Sequence, residues 1–510
     1  MKVEPSETQP QRERVSRFDR VKQTCIAYWH RSQIGHRSEY SVERLLAFRD
    51  YYERTSIARV VAICCLSPIP ALLTALAIDC IPLTPPSDGW RANYTVWIRL
   101  FLAMSMEALG VVFQVRAVID PGTISIPGAI QISLGTAICS VLTTIMLAIV
   151  WKFPTPFGYV LVINPFVVFF SIFTVLAIGP RVLTQSPMLR KQFKSQFIII
   201  VNQGVVAICY PIFSAVFNQL SGIQQTAFVL VMPMIKFFTK QNIANAAKSY
   251  HEYVGPVVVF SVDLFNVYYV AICMQASKSI VTTLIIMATD TFHVLLALRA
   301  IFHRETSVQK SLESSDDLID NVQHYLRDLP VLLRKINREE ETAHIHKRSI
   351  RLFAPFPLLL SDKSGEFMND SRKLPNVSPP SAGENAVHEG LQTLFHSEYI
   401  LMAEYIEFIV PMLYALYLAV IFHLPVAAYY PHTALMTARK LHDTVTNILI
   451  YAAIEFVAFG ALLVLLKRKF GFSPLYQLAF VLETQAPALQ GHLFVWTITI
   501  LHLTLVHYGT

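Results

Sequence analysis

Apolar runs about as long as a bilayer's hydrocarbon core is thick constrain this chain more than any other feature. A helix rises about 1.5 Å per residue, so roughly 20 apolar residues cross the ~30 Å core. Runs of this kind occupy 57–79, 96–116, 124–151, 156–179, 195–217, 222–239, 254–275, 279–299, 400–423, 446–466 and 489–508. With 54% apolar and only 15% charged residues, the 510-residue chain lacks the polar surface that several soluble domains would need. The pattern predicts an all-α fold, a polytopic transmembrane helix bundle of about 11 spans. An amino-terminal segment (1–56) precedes spans 1–8 (57–300), a polar insert (301–397) and spans 9–11 (398–510).

The run at 222–239 is the weakest, being short and holding Pro233 and Lys236, and it also fits a re-entrant or interfacial piece. Counted as a crossing, it gathers Arg181, Arg190, Lys191, Lys194, Lys240, Lys248, Arg299, Arg304 and Lys467-Arg468-Lys469 on the amino-terminal side, as the positive-inside rule asks. The other side carries few basic residues, and Trp90, Trp97 and Trp151 mark its boundary as an aromatic belt. The expected topology has the amino terminus in the cytosol and the first span as an uncleaved anchor. The formal charge of +7 belongs to these loops, so nucleic acid is not an expected partner; the bilayer is. Seven cysteines without CxxC spacing imply neither a disulfide framework nor a zinc site.

Outside the runs, Val42, Leu45, Leu46 and Phe48 line one face of a predicted helix flanked by Glu43, Arg44, Arg49 and Asp50, read as a surface helix leading to the membrane. In the insert, Leu318, Ile319, Val322, Tyr325, Leu326 and Leu329 recur at helical spacing until Pro330 stops them, and 361–390 reads as a flexible linker. Ser473-Pro474 opens a short helix expected on the cytosolic interface. Asn93-Tyr94-Thr95 is a glycosylation sequon set almost against the second span.

The chemistry concentrates in ionisable residues inside the runs, where they are costly. Asp263 lies nine residues after Val254 and Asp290 nine before Arg299, about 14 Å in each case and so near the midplane. Glu107 and Glu455 fall at similar depths, and His293 is one turn from Asp290. Basic partners look scarce, with Arg99 near one surface and Lys236 near the other. Neutralisation is then expected from protons, bound cations, or donors such as Asn266, Tyr268, Thr289 and Ser105. Either these carboxylates form a proton or cation site, or each stays protonated and bonds between helices as glue. Glu404 and Glu407 fit an acidic cytosolic mouth or a plain solvated face. His492, His502 and His507 are spaced so that each takes its own partner.

The runs 89–101 (GWRANYTVWIRLF), 259–275 (VFSVDLFNVYYVAICMQ), 404–420 (EYIEFIVPMLYALYLAV) and 491–509 (GHLFVWTITILHLTLVHYG) resemble an uncharacterised group of oomycete multi-pass membrane proteins. The likeness covers most of the chain. It implies a polytopic protein of a eukaryotic plasma membrane or endomembrane and transfers no site residue.

No phosphate-binding loop, zinc-protease or serine-hydrolase motif occurs, so neither enzyme activity nor a cofactor or metal is expected. The expected function is a proton- or cation-linked transporter or channel-like protein built on Asp263 and Asp290, with Glu107, Glu455 and His293 contributing. The alternative is a non-transporting receptor or scaffold acting through cytosolic partners of 301–397.

Overall fold

The computed structural model describes residues 33–119, 122–220, 231–276, 324–331, 350–356, 358–372 and 382–509, with 224, 228, 295, 298, 299 and 333. Among them every regular element is helical. Helix α1 (Val42–Arg54) leads into α2 (Ile57–Leu66) and α3 (Ile69–Asp79), which a bend at Ser67-Pro68 separates. Next come α4 (Tyr94–Arg116), α5 (Ile126–Val150), α6 (Gly158–Ile178) and α7 (Pro187–Gln219). Helix α8 (Val231–Ala246) is followed by α9 (Val254–Val258), a π turn (Val259–Asp263) and α10 (Leu264–Ala276). The chain ends in α11 (Asp362–Arg372), α12 (Ala382–Ile421), α13 (Ala438–Phe470), α14 (Pro474–Thr484) and α15 (Ala486–His502).

Local chemistry sets several ends. Ser41, Ser56, Ser125 and Thr437 accept the backbone N–H three residues on and so cap α1, α2, α5 and α13. Gly471 takes φ 74° after α13, where a Cβ would be strained, and Lys467, Arg468 and Lys469 offset the dipole of its last turn.

Among the described residues, eight helical stretches are long and apolar enough to cross a membrane. Helix α5 shows that lipid, not water, suits its outer face. Ile130, Leu134, Ile138, Leu142 and Met146 form an exposed stripe, while Ala129, Ser133, Thr136, Ala137, Ser140 and Thr144 are buried. Large apolar groups outside with small and hydroxyl groups inside is the pattern of helices packed in a bilayer. The chain is a multi-pass membrane protein.

The expected sixth span from Pro233 on and most of the seventh fall in one apolar stretch, Pro233–Ile272. It is a hairpin: His251, at φ 50° and ψ −114°, breaks the helical path, and α8 packs back along α9 and the π turn. Most of the expected eighth span lies outside the described residues. Helix α15 stops at His502, short of the expected 508.

The segments flanking the membrane runs differ most from expectation. Helix α1 is core, not surface: Val42, Leu45, Leu46, Ala47 and Phe48 are buried among residues of α12 and α14. The insert is laced onto it. Val42 N–H and Glu43 N–H donate to the carbonyls of Arg351 and Leu352 at 3.0 Å each, and Asp50 accepts from Ser361 N–H at 2.7 Å. The linker expected at 361–390 holds α11 and the start of α12, with Phe367 and Met368 buried against this core. The boundary expected after 397 falls inside the unbroken α12. Pro330 does not stop its helix, which covers 325–331. Helix α14 is buried on Leu478, Ala479, Phe480 and Val481 rather than lying on an interface.

Candidate functional site

The hairpin turn at 247–253 brings α8 against the π turn and places two lysines on the aspartate that ends it. Lys236 and Lys240, one turn apart on α8, lie 3.4 and 2.7 Å from Asp263 Oδ1. The π turn holds one residue more than α geometry would, which widens the helix locally; such turns recur at functional sites. Asp263 is almost wholly buried, and its Oδ2 accepts no hydrogen bond among the described residues. Lys240 also donates to Tyr399 Oη at 3.0 Å.

Lys236 joins this pair to a second group, since its Nζ is 3.8 Å from Glu407 Oε1. Glu404 and Glu407, three apart on α12, meet Glu455 of α13, and one oxygen from each falls within 4.8 Å of the others. Four carboxyl groups thus gather around two lysines. Glu404 and Glu407 are only 3% and 6% exposed, so they belong to a buried interior and not to a plain solvated face, one of the two readings of this pair. The expectation that Asp263 lacks basic partners is also corrected. Lys236 and Lys240 reach it because the hairpin folds back, which residue depth alone does not reveal.

Glu107 stands apart from this cluster, with its Oε1 accepting from Tyr159 Oη and, at 3.0 Å, from Thr499 Oγ1. It lines a cavity of about 60 Å³ between α4, α6, α7 and α15. Gln203, also on the cavity wall, donates to Gln114 Oε1 at 3.1 Å and to Ser261 Oγ at 3.0 Å, and lies 3.3 Å from His492 Nδ1. Ser261 belongs to the π turn, so polar groups run from the cavity wall to within two residues of Asp263. Asp290, His293 and Thr289 lie outside the described residues. Tyr268 and Ser105 turn elsewhere, to Thr497 Oγ1 and the Phe101 carbonyl.

Two buried ionic networks escaped the sequence reading. Asp79, at the end of α3, pairs with Arg99 of α4 and accepts from Tyr430 Oη at 2.8 Å and Tyr417 Oη at 2.9 Å, with His502 Nε2 3.5 Å away. An acid and a base at the same end of two successive antiparallel runs was the available signal. The second network joins α1 to α12. Arg44 Nη2 donates to both Glu398 oxygens at 2.9 Å, Tyr40 Oη donates to the same carboxylate, and Arg44 lies over the Tyr40, Tyr253 and Phe480 rings. Burial by itself would lower the Arg44 pKa, but Glu398, Tyr40 and Glu252 beside it carry it well above its ordinary value.

The three histidines of the last run do take separate partners: His492 with Gln203, His502 with Asp79, and His507 with the Thr84 carbonyl at 2.8 Å. The Asn93 amide is fully buried and donates to the carbonyls of Pro85 and Gly89 at 3.0 Å, which leaves this sequon unable to take a glycan in the folded chain. No protein-family model, curated protein or solved structure matches the chain.

Proposed function

We propose that this membrane protein is a proton- or cation-linked transporter or channel-like protein, working through Asp263, Glu404, Glu407 and Glu455 with Lys236 and Lys240 as internal counter-charges. The supporting observation is the gathering of four carboxyl groups and two lysines in one buried cluster, in a medium where ionisable side chains are costly and mark ion or proton paths. Protons or cations exchanging on these carboxylates would rearrange the Lys236 bridge between Asp263 and Glu407. The proposal extends to a eukaryotic plasma membrane or endomembrane, with the amino terminus cytosolic, and to a protein that is not an enzyme.

Flux in proteoliposomes under an imposed proton or alkali-cation gradient tests this. Glu407→Gln and Glu455→Gln keep the shape of the cluster, and Asp263→Asn removes the carboxylate of the π turn. Each is expected to lower flux at least about tenfold in protein that remains monodisperse. Unchanged flux in all three would remove the cluster from the path. No flux from the folded, unaltered protein under either gradient would instead favour a receptor or scaffold acting through 301–397.

A further inference from the structure

The cavity beside Glu107 differs from the Asp263 cluster in the one respect that determines what it can hold. None of its lining residues among those described is basic. Tyr159 and Thr499 both donate to Oε1, and Oε2 takes no hydrogen bond from the described residues. Glu107 is 6% exposed and belongs to the cavity wall. Around it the walls are hydrocarbon and aromatic, including Val162, Phe166, Ile200 and Trp496. One carboxylate thus lies in a largely apolar recess.

A volume of about 60 Å³ exceeds the ~10–15 Å³ that one water needs, so the recess has room for more than a single solvent molecule. A hard inorganic cation is poorly served, because it asks for about six oxygen ligands and the described lining residues offer side-chain oxygens only on Glu107, Tyr159, Gln203 and Thr499. An ammonium group on a small apolar body is matched on both counts. Its N–H would donate to Oε2 while its carbon atoms cover the walls, among which Trp496, Tyr159 and Phe166 are aromatic, a class of side chain that attracts cations.

We propose that this cavity is a binding site for a small hydrophobic amine in its ammonium form, with the Glu107 carboxylate as counter-ion. The site is separate from the Asp263 cluster and stands or falls independently of ion flux through it.

Equilibrium dialysis with the full chain in lipid nanodiscs tests the site, using radiolabelled ethylammonium, ethanol of similar size as the neutral control, and empty nanodiscs to subtract partitioning. The unaltered protein is expected to show a saturable site that prefers ethylammonium. Glu107→Gln, whose amide oxygen can still accept from Tyr159 and Thr499, should weaken ethylammonium binding at least about tenfold and leave the alcohol unchanged. Gly204→Leu fills the recess from its α7 wall and should abolish saturable binding of both. Absence of a saturable ammonium site in the unaltered protein would overturn the proposal, as would equal affinity for the amine and the alcohol or Glu107→Gln binding as tightly as the unaltered chain.

Discussion

Asp79 and Arg99 form their ion pair where neither side chain is more than 2% exposed, so each is the other's main compensation for lost hydration. Two tyrosine hydroxyls complete the aspartate's shell, from α12 and from the loop after it. Removing one charge from a buried pair typically costs ~3–5 kcal/mol because the other is stranded. Asp79→Asn is therefore expected to lower thermal stability in detergent by that order, and Asp79→Asn with Arg99→Met by clearly less. Equal losses in the single and double variants would mean that the charge is not what holds α3, α4 and α12 together. Asp50, on α1 outside the spans, makes a pH-dependent contact. Burial would raise its pKa, but the backbone N–H and hydroxyl of Ser361 and the hydroxyl of Ser364 outweigh that and hold it below the usual 3.8. A depressed folded pKa gives stability that is present above the unfolded value and lost as pH falls through the folded one. Hydrogen exchange over 361–372 should thus accelerate only on acidification below about the ordinary aspartate range, and Asp50→Asn should show the faster exchange already at neutral pH.

At the scale of elements, α4 and α15 pack backbone to backbone where Gly110 faces Gly491. A Cβ on Gly110 would stand 2.7 Å from the Gly491 carbonyl oxygen, and one on Gly491 would meet the Gly110 carbonyl oxygen in turn. Backbone cannot rotate away as a flexible side chain can, so the helices must separate. Gly491→Ala is expected to cost ~1–3 kcal/mol, read as a lowered unfolding midpoint, and Gly110→Val more than that. An unchanged midpoint in both would show that this crossing yields easily. These two glycines look unremarkable in the sequence, which marks the limit of what pattern reveals. Length and apolarity suffice to locate membrane helices, since a helix is the local solution to backbone hydrogen bonding in lipid, and the runs from 57 to 179 lie close to the helices observed. Which helices touch depends on residues far apart in the chain. The meeting of Lys240 with Asp263 needed a reversal at His251, a residue type that gives no turn signal of the strength of glycine or proline. Asp263 could be singled out by its cost in the membrane, whereas Lys240 was assigned to a basic loop by the very rule that orients the spans and Lys236 to one membrane surface.

At the scale of the whole molecule, α1 joins the amino-terminal segment, the insert and the bundle into one body. Its alternation of Leu45, Leu46 and Phe48 with Arg44 and Asp50 imitates a surface helix, yet the charged side of the pattern is also covered. Arg44 and Glu398 are both 0% exposed, while Asp50 is bonded to the insert. A polar stripe can face protein as well as water when its partners arrive from other segments, and no local window of sequence contains them. Phe48 sits between the Phe472 and Phe480 rings, 5.2 and 5.4 Å away, so Phe48→Ala should cost ~3–5 kcal/mol as a large-to-small core change. Arg44→Ala attacks the same junction differently, by stranding Glu398. If the stranded charge dominates, Arg44→Ala with Glu398→Gln will be more stable than Arg44→Ala alone, because the second change removes what the first left unpaired. If lost packing of the guanidinium against Tyr40, Tyr253 and Phe480 dominates, the second change will restore nothing. Unfolding of all three variants followed both by Trp496 fluorescence in α15 and by proteolysis of the insert distinguishes these outcomes. If α1 unites the body, both probes will shift together in each variant. Loss of the insert's protection at an unchanged fluorescence midpoint would show instead that the flanking segments unfold independently of the bundle.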